Sequence, residues 1–172
     1  ISGDMLLASL VNLGADKNKI IEGIIKSQKF LSGSIIKKMD FQKIQKRGIV
    51  STELILEIDE NISERKGIEI KKAILDSVNE LSLPTRAKIF AESCIKTLIS
   101  SESKIHGISE DSVHFHEASS IDTLVDIVGI TIALDDLKLF DEKIVCLPVS
   151  VGGGTVSFSH GTMSNPASAI LQ

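Results

Sequence analysis

Residues 121–134 read IDTLVDIVGITIAL. A helix over this stretch is apolar nearly all round, so it belongs at the centre of a fold with the rest of the chain packed about it. Its only charges before Asp135 are Asp122 and Asp126, four positions apart on one face, and Gly129 continues their stripe. Two like charges on a buried face are costly unless something positive or hydrogen-bond-donating meets them. A metal ion, a histidine cluster or a basic substrate would each serve.

Just upstream stands His114-Phe115-His116-Glu117. In an extended segment His114 and His116 project to one face, because the side-chain period of a strand is two. Imidazole and carboxylate are ligands of borderline divalent metals such as nickel, zinc, cobalt and manganese. A short strand feeding the buried helix would bring two imidazoles and the carboxylates of Glu117, Asp122 and Asp126 towards one small volume. The bland alternative is a satisfied structural network.

The remaining pattern is mixed. Asp4 to Leu13 reads as a helix stopped by Gly14, and Asp16 caps a second helix to about Ser27 with Ile20, Ile21, Ile24 and Ile25 at helical spacing. From Ser34 to Ile58 the signal is β, with Arg47-Gly48 as the turn of a long-armed hairpin. A helix follows from near Ile68, with Ile70, Ile74, Val78 and Leu81 on one face. Ser82-Leu83-Pro84 then breaks and restarts the chain, Ser82 as a cap, into a helix to about Ser101. A strand is expected at Lys143–Val151 and a short one at Thr155–Phe158. Helices and strands do not alternate strictly, which makes the class α+β: a helical hairpin and further helices packed with a small mixed sheet that includes a β-hairpin.

The 172 residues suit a single domain spanning 1–172. With 42% hydrophobic and 24% charged residues the chain is globular in composition, not disordered. Its net charge of −4, with lysines and acids interspersed, gives no electrostatic case for nucleic acid or a membrane surface. No apolar run approaches the length of a membrane span. Cys94 and Cys146 stand in apolar contexts and read as buried thiols of a reducing cytoplasm, not as a disulfide framework. The chain opens directly on a glycine turn and closes in a helix-start signal, Asn165-Pro166, so a fragment of a longer polypeptide is expected.

Two further segments carry chemistry. Gly152-Gly153-Gly154 follows the expected strand; its amides would form an anion nest, or the triplet is a bulged turn. His160, between Ser159 and Gly161, would complete a metal site or act as an acid or base near neutral pH. Ser2-Gly3-Asp4 opens the first helix, where amides favour an anion and Asp4 either caps or meets a metal. His106, before Gly107, reads as a partner of a helix C-terminal dipole.

Together these motifs resemble one family. Ile1-Ser2-Gly3-Asp4-Met5 resembles its GISGDM opening. His114-Phe115-His116-Glu117 with Ser120-Ile121-Asp122 and Val125-Asp126-Ile127-Val128-Gly129 resembles its HFHE…DSIVDIVG signature. Leu147-Pro148-Val149, Gly152–Gly154, Ser159-His160-Gly161 and Pro166-Ala167 resemble its LP-x-G-x-G…HG…PAPA stretch. The family is that of the LarC nickel-insertion proteins, pyridinium-3,5-bisthiocarboxylic acid mononucleotide nickel chelatases.

The resemblance implies insertion of nickel into a pincer nucleotide that serves lactate racemase. It also implies consumption of CTP with manganese or magnesium, and a CTP-binding C-terminal region that lies outside this chain. On that reading His114, His116, Glu117, Asp122 and Asp126 hold nickel. Glu117 and His160 take the proton lost from the pyridinium carbon. Ser2, Gly3, Asp4, Gly152, Gly153 and Gly154 hold the nucleotide phosphate. The expected partners are the small-molecule nucleotide and CTP, with self-association into a homo-oligomer left open, and the fragment alone is expected to be inactive. Two rival readings use the same ligand types: a metal-dependent hydrolase with metal-activated water, and a non-catalytic nickel carrier or assembly module.

Overall fold

A computed structural model of the chain describes residues 2–62, 64–115, 120–148, 153–158 and 161–164. The described residues form five helices: α1 (Gly3–Leu13), α2 (Lys17–Ser27), α3 (Gly67–Glu80), α4 (Thr85–His106) and α5 (Ser120–Asp136). Their strands are β1 (Ser34–Lys46), β2 (Ile49–Glu60), β3 (Arg65–Lys66), β4 (His114–Phe115), β5 (Thr155–Phe158) and β6 (Gly161–Ser164). The α+β class is as expected. Among the described residues the strands form three two-stranded antiparallel ribbons, β1–β2, β3–β4 and β5–β6.

α5 is the centre of the fold, as its sequence requires. Ile121, Leu124, Val125, Val128 and Ala133 are wholly buried, and α1, α2, α3 and α4 all pack against it. α2 and α3 contribute Ile20, Ile24, Ile70, Ile74 and Val78, all with no exposed surface. Burying a large aliphatic side chain contributes about 1.5–3 kcal/mol, so this layer of isoleucine and valine holds the helices in place. On α2 the expected apolar face is narrower: Ile25 is exposed and Ile21 half-buried.

Local signals set most element ends. The Asp16 carboxylate accepts from Asn18 N at 2.8 Å and Lys19 N at 3.4 Å, capping α2. Asp16 N in turn donates to Asp136 Oδ2 at 2.9 Å, which ties the start of α2 to the end of α5. Arg47 and Gly48 both have positive φ, 52° and 81°, the handedness that a two-residue hairpin turn needs. The hairpin lies along α1 and α2, where Asn12 Oδ1 accepts from Thr52 Oγ1 at 3.1 Å and from Lys43 Nζ.

Three expectations fail locally. Ser82 does not cap α4: it takes a positive φ of 53°, and Pro84, whose ring fixes φ near the helical value, occupies the cap position. The described part of the expected 143–151 strand, Lys143–Pro148, has no regular structure. Ile144, Val145 and Leu147 there are exposed, and no strand among the described residues pairs with them. Cys146 is accordingly exposed and Cys94 only partly buried, so neither is the fully buried thiol expected. Burial still raises the Cys94 thiol above its ordinary pKa. Among the described residues no helix is long and apolar enough to cross a membrane.

Candidate functional site

Asp122 and Asp126 sit one turn apart on α5, on the stripe that faces α1. Leu7 of α1 lies over Gly129, where a Cβ would meet its Cδ2 at 2.8 Å. One turn earlier, Gly3 lies over Asp126. A Cβ on Gly3 would overlap the Asp126 carboxylate and stand 2.7 Å from the Asp126 Cβ. Positions i and i+4 of α1 thus run along positions 126 and 129 of α5, and only glycine leaves room for the acid. The first turn of α1 brings a third carboxylate, Asp4, which accepts a hydrogen bond from Ser2 Oγ.

The electrostatics are those of a crowded acid pocket. Burial, then the charges of Asp122 and Asp4, pushes the Asp126 carboxyl up to about 7. Burial also raises Asp122, followed by the fields of Asp4 and of Glu60 at the end of β2. Asp126 Oδ1 is buried with no hydrogen-bond partner among the described residues. A buried, orphaned carboxylate oxygen beside two more acids calls for a proton or a cation. The N-terminal end of α1 adds a favourable dipole but no full charge.

His114 lies on β4, half-buried, opposite Lys66, while Phe115 opposite Arg65 turns inward to the core. The strand expected for this segment is present to that extent. His116, Glu117, Gly152 and His160 lie outside the described residues. Gly153 and Gly154 are exposed ahead of β5, Gly154 with a φ of 105°, and a Cβ on either would meet nothing within 4 Å among the described residues. His106 ends α4 and stands 3.4 Å from Glu102, a local pair on one helix. Among the described residues no three His, Cys, Asp or Glu side chains are grouped closely enough to hold a metal ion by themselves.

Glu60 was missed by the sequence reading. At the end of a strand that also carries Glu53, Glu57 and Asp59 it looks like another solvated acid, and only the return of the hairpin onto the helices brings its field to Asp122.

The fold and this pocket define an α+β unit that carries an acid pair on its central helix, under a glycine-opened helix terminus. Comparison with known proteins gives the family. The profile described as nickel insertion protein matches residues 1–172, and the chain belongs to that family. A pyridinium-3,5-bisthiocarboxylic acid mononucleotide nickel insertion protein of Staphylococcus saprophyticus is 35% identical over 173 residues, covering 100% of this chain and 41% of its own. Proteins of the same name in Staphylococcus epidermidis and Clostridium kluyveri are 35% and 34% identical, with 100% of this chain and 41% and 44% of theirs covered. The chain therefore spans about two fifths of the length of the curated relatives it matches. No solved structure matches it.

Proposed function

We propose that this chain is the metal-handling part of a protein that inserts nickel into pyridinium-3,5-bisthiocarboxylic acid mononucleotide, the substrate named for its relatives. The observation that carries the reading is the buried Asp126 oxygen, without a hydrogen-bond partner among the described residues, in an acid pocket for which Gly3 leaves room. Nickel is the substrate metal. Asp122 and Asp126 line its site, and His114, His116 and Glu117 are assigned as the ligands that join them when the ion binds, since no three of the described side chains are already grouped to hold it. Such a site holds its ion loosely, since a closed four-ligand site is structural and does not release its metal. The softer thiocarboxylate sulfurs then take the nickel over. Glu117 or His160 accepts the proton that leaves the pyridinium carbon as the carbon–nickel bond forms.

The carboxylates around the first turn of α1 weight that terminus towards a cation. The nucleotide phosphate is therefore assigned first to Gly152, Gly153 and Gly154, of which Gly153 and Gly154 are exposed and glycine amides in succession suit an anion. The amides of Ser2, Gly3 and Asp4 would meet the phosphate only across a bound metal. CTP, with manganese or magnesium, is assigned to a region outside these 172 residues. The whole would act in the cytoplasm and make the nickel cofactor of lactate racemase.

The test is a nickel titration of the full-length protein with the His114→Ala and Asp126→Ala variants, paired with a CTP-dependent insertion assay. Both variants should lose at least about tenfold in nickel affinity, the size of a lost ligand or its support, and lose insertion with it. Wild-type affinity and insertion in both variants would overturn the site. Phosphate release without nickel transfer would favour a hydrolase, and nickel binding without a nucleotide product would favour a carrier.

A further inference from the structure

Arg65 is a charged side chain with only 6% of its surface exposed. Its guanidinium donates through Nη2 to Ser32 O at 2.7 Å and to Ser34 Oγ at 3.2 Å. Ser34, 3% exposed, has a single hydroxyl proton and gives it to Glu60 Oε1 at 2.6 Å. The hydroxyl thus has a fixed direction, accepting from a cation and donating to an anion. The three residues sit at a junction. Ser34 and Glu60 are register partners that close the base of the β1–β2 hairpin, and Arg65 is the register partner of Phe115, next to His114. β2 packs along α1, whose Gly3 touches Asp126, and β1 reaches α5.

We propose that Arg65, acting through Ser34, is a positioning residue that holds the Glu60 carboxylate at the edge of the acid pocket, where Glu60 sets how tightly the divalent ion is held. This rests on the nickel-site reading above and adds to it a residue from the hairpin. The arrangement links the base of the hairpin to the β4 strand that carries His114, so the carboxylate and imidazole sides of the site keep one relative position. Removing Arg65 itself would leave buried acceptors unmatched and endanger folding. Ser34 is the better place to cut, because valine has the shape of threonine without the hydroxyl.

The experiment is calorimetric titration of the full-length protein with nickel chloride at neutral pH. The proteins compared are wild type, Ser34→Thr, Ser34→Val, Glu60→Gln, the Ser34→Val/Glu60→Gln double variant and Asp126→Asn. Ser34→Thr should bind as wild type. Ser34→Val and Glu60→Gln should each weaken binding about tenfold, the effect expected of an outer support. The double variant should be no weaker than either alone, because both cuts remove one relay. Should Ser34→Val not fold, Glu60→Gln and Ser34→Thr carry the same comparison. Wild-type binding by Glu60→Gln, or losses that multiply to about a hundredfold in the double variant, would overturn the relay. If Asp126→Asn still loses nickel in that case, the site stands without it. Wild-type binding by Asp126→Asn would instead remove the site on which the relay rests.

Discussion

Replacing Asp126 with asparagine should make the metal-free protein more stable at pH 8, although it removes a proposed ligand. The sign follows from linkage. The folded-state carboxyl is raised from about 3.8 to about 7, so between those pH values the folded state binds a proton that the unfolded state has released. Stability then falls as pH rises through that window and is level above it. A shift of this size corresponds to about 4 kcal/mol at 1.36 kcal/mol per unit. Asp126 is only partly buried, and solvent screening discounts this to about 2 kcal/mol. Asparagine has no proton to lose, so the variant should gain about 2 kcal/mol over wild type at pH 8 and nothing near pH 4. The check is urea unfolding in chelator-treated buffer at pH 4.5, 6 and 8. The difference should appear in the midpoint with the slope unchanged. Nickel at about a hundred times its dissociation constant should return about 2.7 kcal/mol to wild type and little to the variant. A variant less stable than wild type at pH 8, or a difference that does not grow between pH 5 and 8, would refute the argument. Either result would mean that the carboxylate is ionised and already satisfied within the protein.

Gly3→Ala should weaken nickel binding and cost about 1–3 kcal/mol of stability, the range for overpacking. Its Cβ would overlap the Asp126 carboxylate and stand too close to the Asp126 Cβ for a side-chain rotation alone to relieve it. Thermal unfolding and a nickel titration of one preparation check both halves. Asp136→Ala should cost about 1 kcal/mol at pH 7, since it removes the acceptor of Asp16 N and of Lys19 Nζ. The hydrogen bond from Asp16 and then that from Lys19 lower the Asp136 carboxyl, so its contribution is present above the unfolded value near 4 and lost as pH falls through the folded one. Urea midpoints should therefore differ from wild type at pH 7, and the difference should shrink as the pH falls below about 4.

The parts of this fold that are legible in sequence are those that one element decides for itself. The all-round apolarity of residues 121–134 requires a central helix, and α5 is central. Asp16 is a cap because its own carboxylate reaches amides two and three residues on. Arg47-Gly48 turns the hairpin because both residues adopt positive φ. What depends on a second element is not legible. The run at 143–148 has the β-branched residues of a strand, but a strand exists only with a hydrogen-bonded neighbour, and among the described residues it has none. Gly3 reads as the start of a helix, whereas its function is to leave the space that Asp126 fills. Glu60 and Arg65 are 55 or more positions away from Asp122, and nothing in the local pattern around them points to an acid pocket.

On the proposed reading, the location of the acids bears on how a nickel site can both bind and release. A carboxylate on a loop would relax towards water when its metal left, and the empty state would lose little. Asp126 cannot do so: it is carried on a helix packed by four others and covered by the first turn of α1. Its cost is therefore stored in the empty protein, where a proton offsets it near neutral pH. A divalent ion must displace that proton to bind, which lowers its affinity at the pH where the cell supplies it. The same rigidity keeps the ligands in place while a softer donor approaches. A site of this kind is tuned to be weak without being loose in geometry. If nickel is the cargo, as proposed, that combination is more useful than the tightest affinity the same ligands would allow.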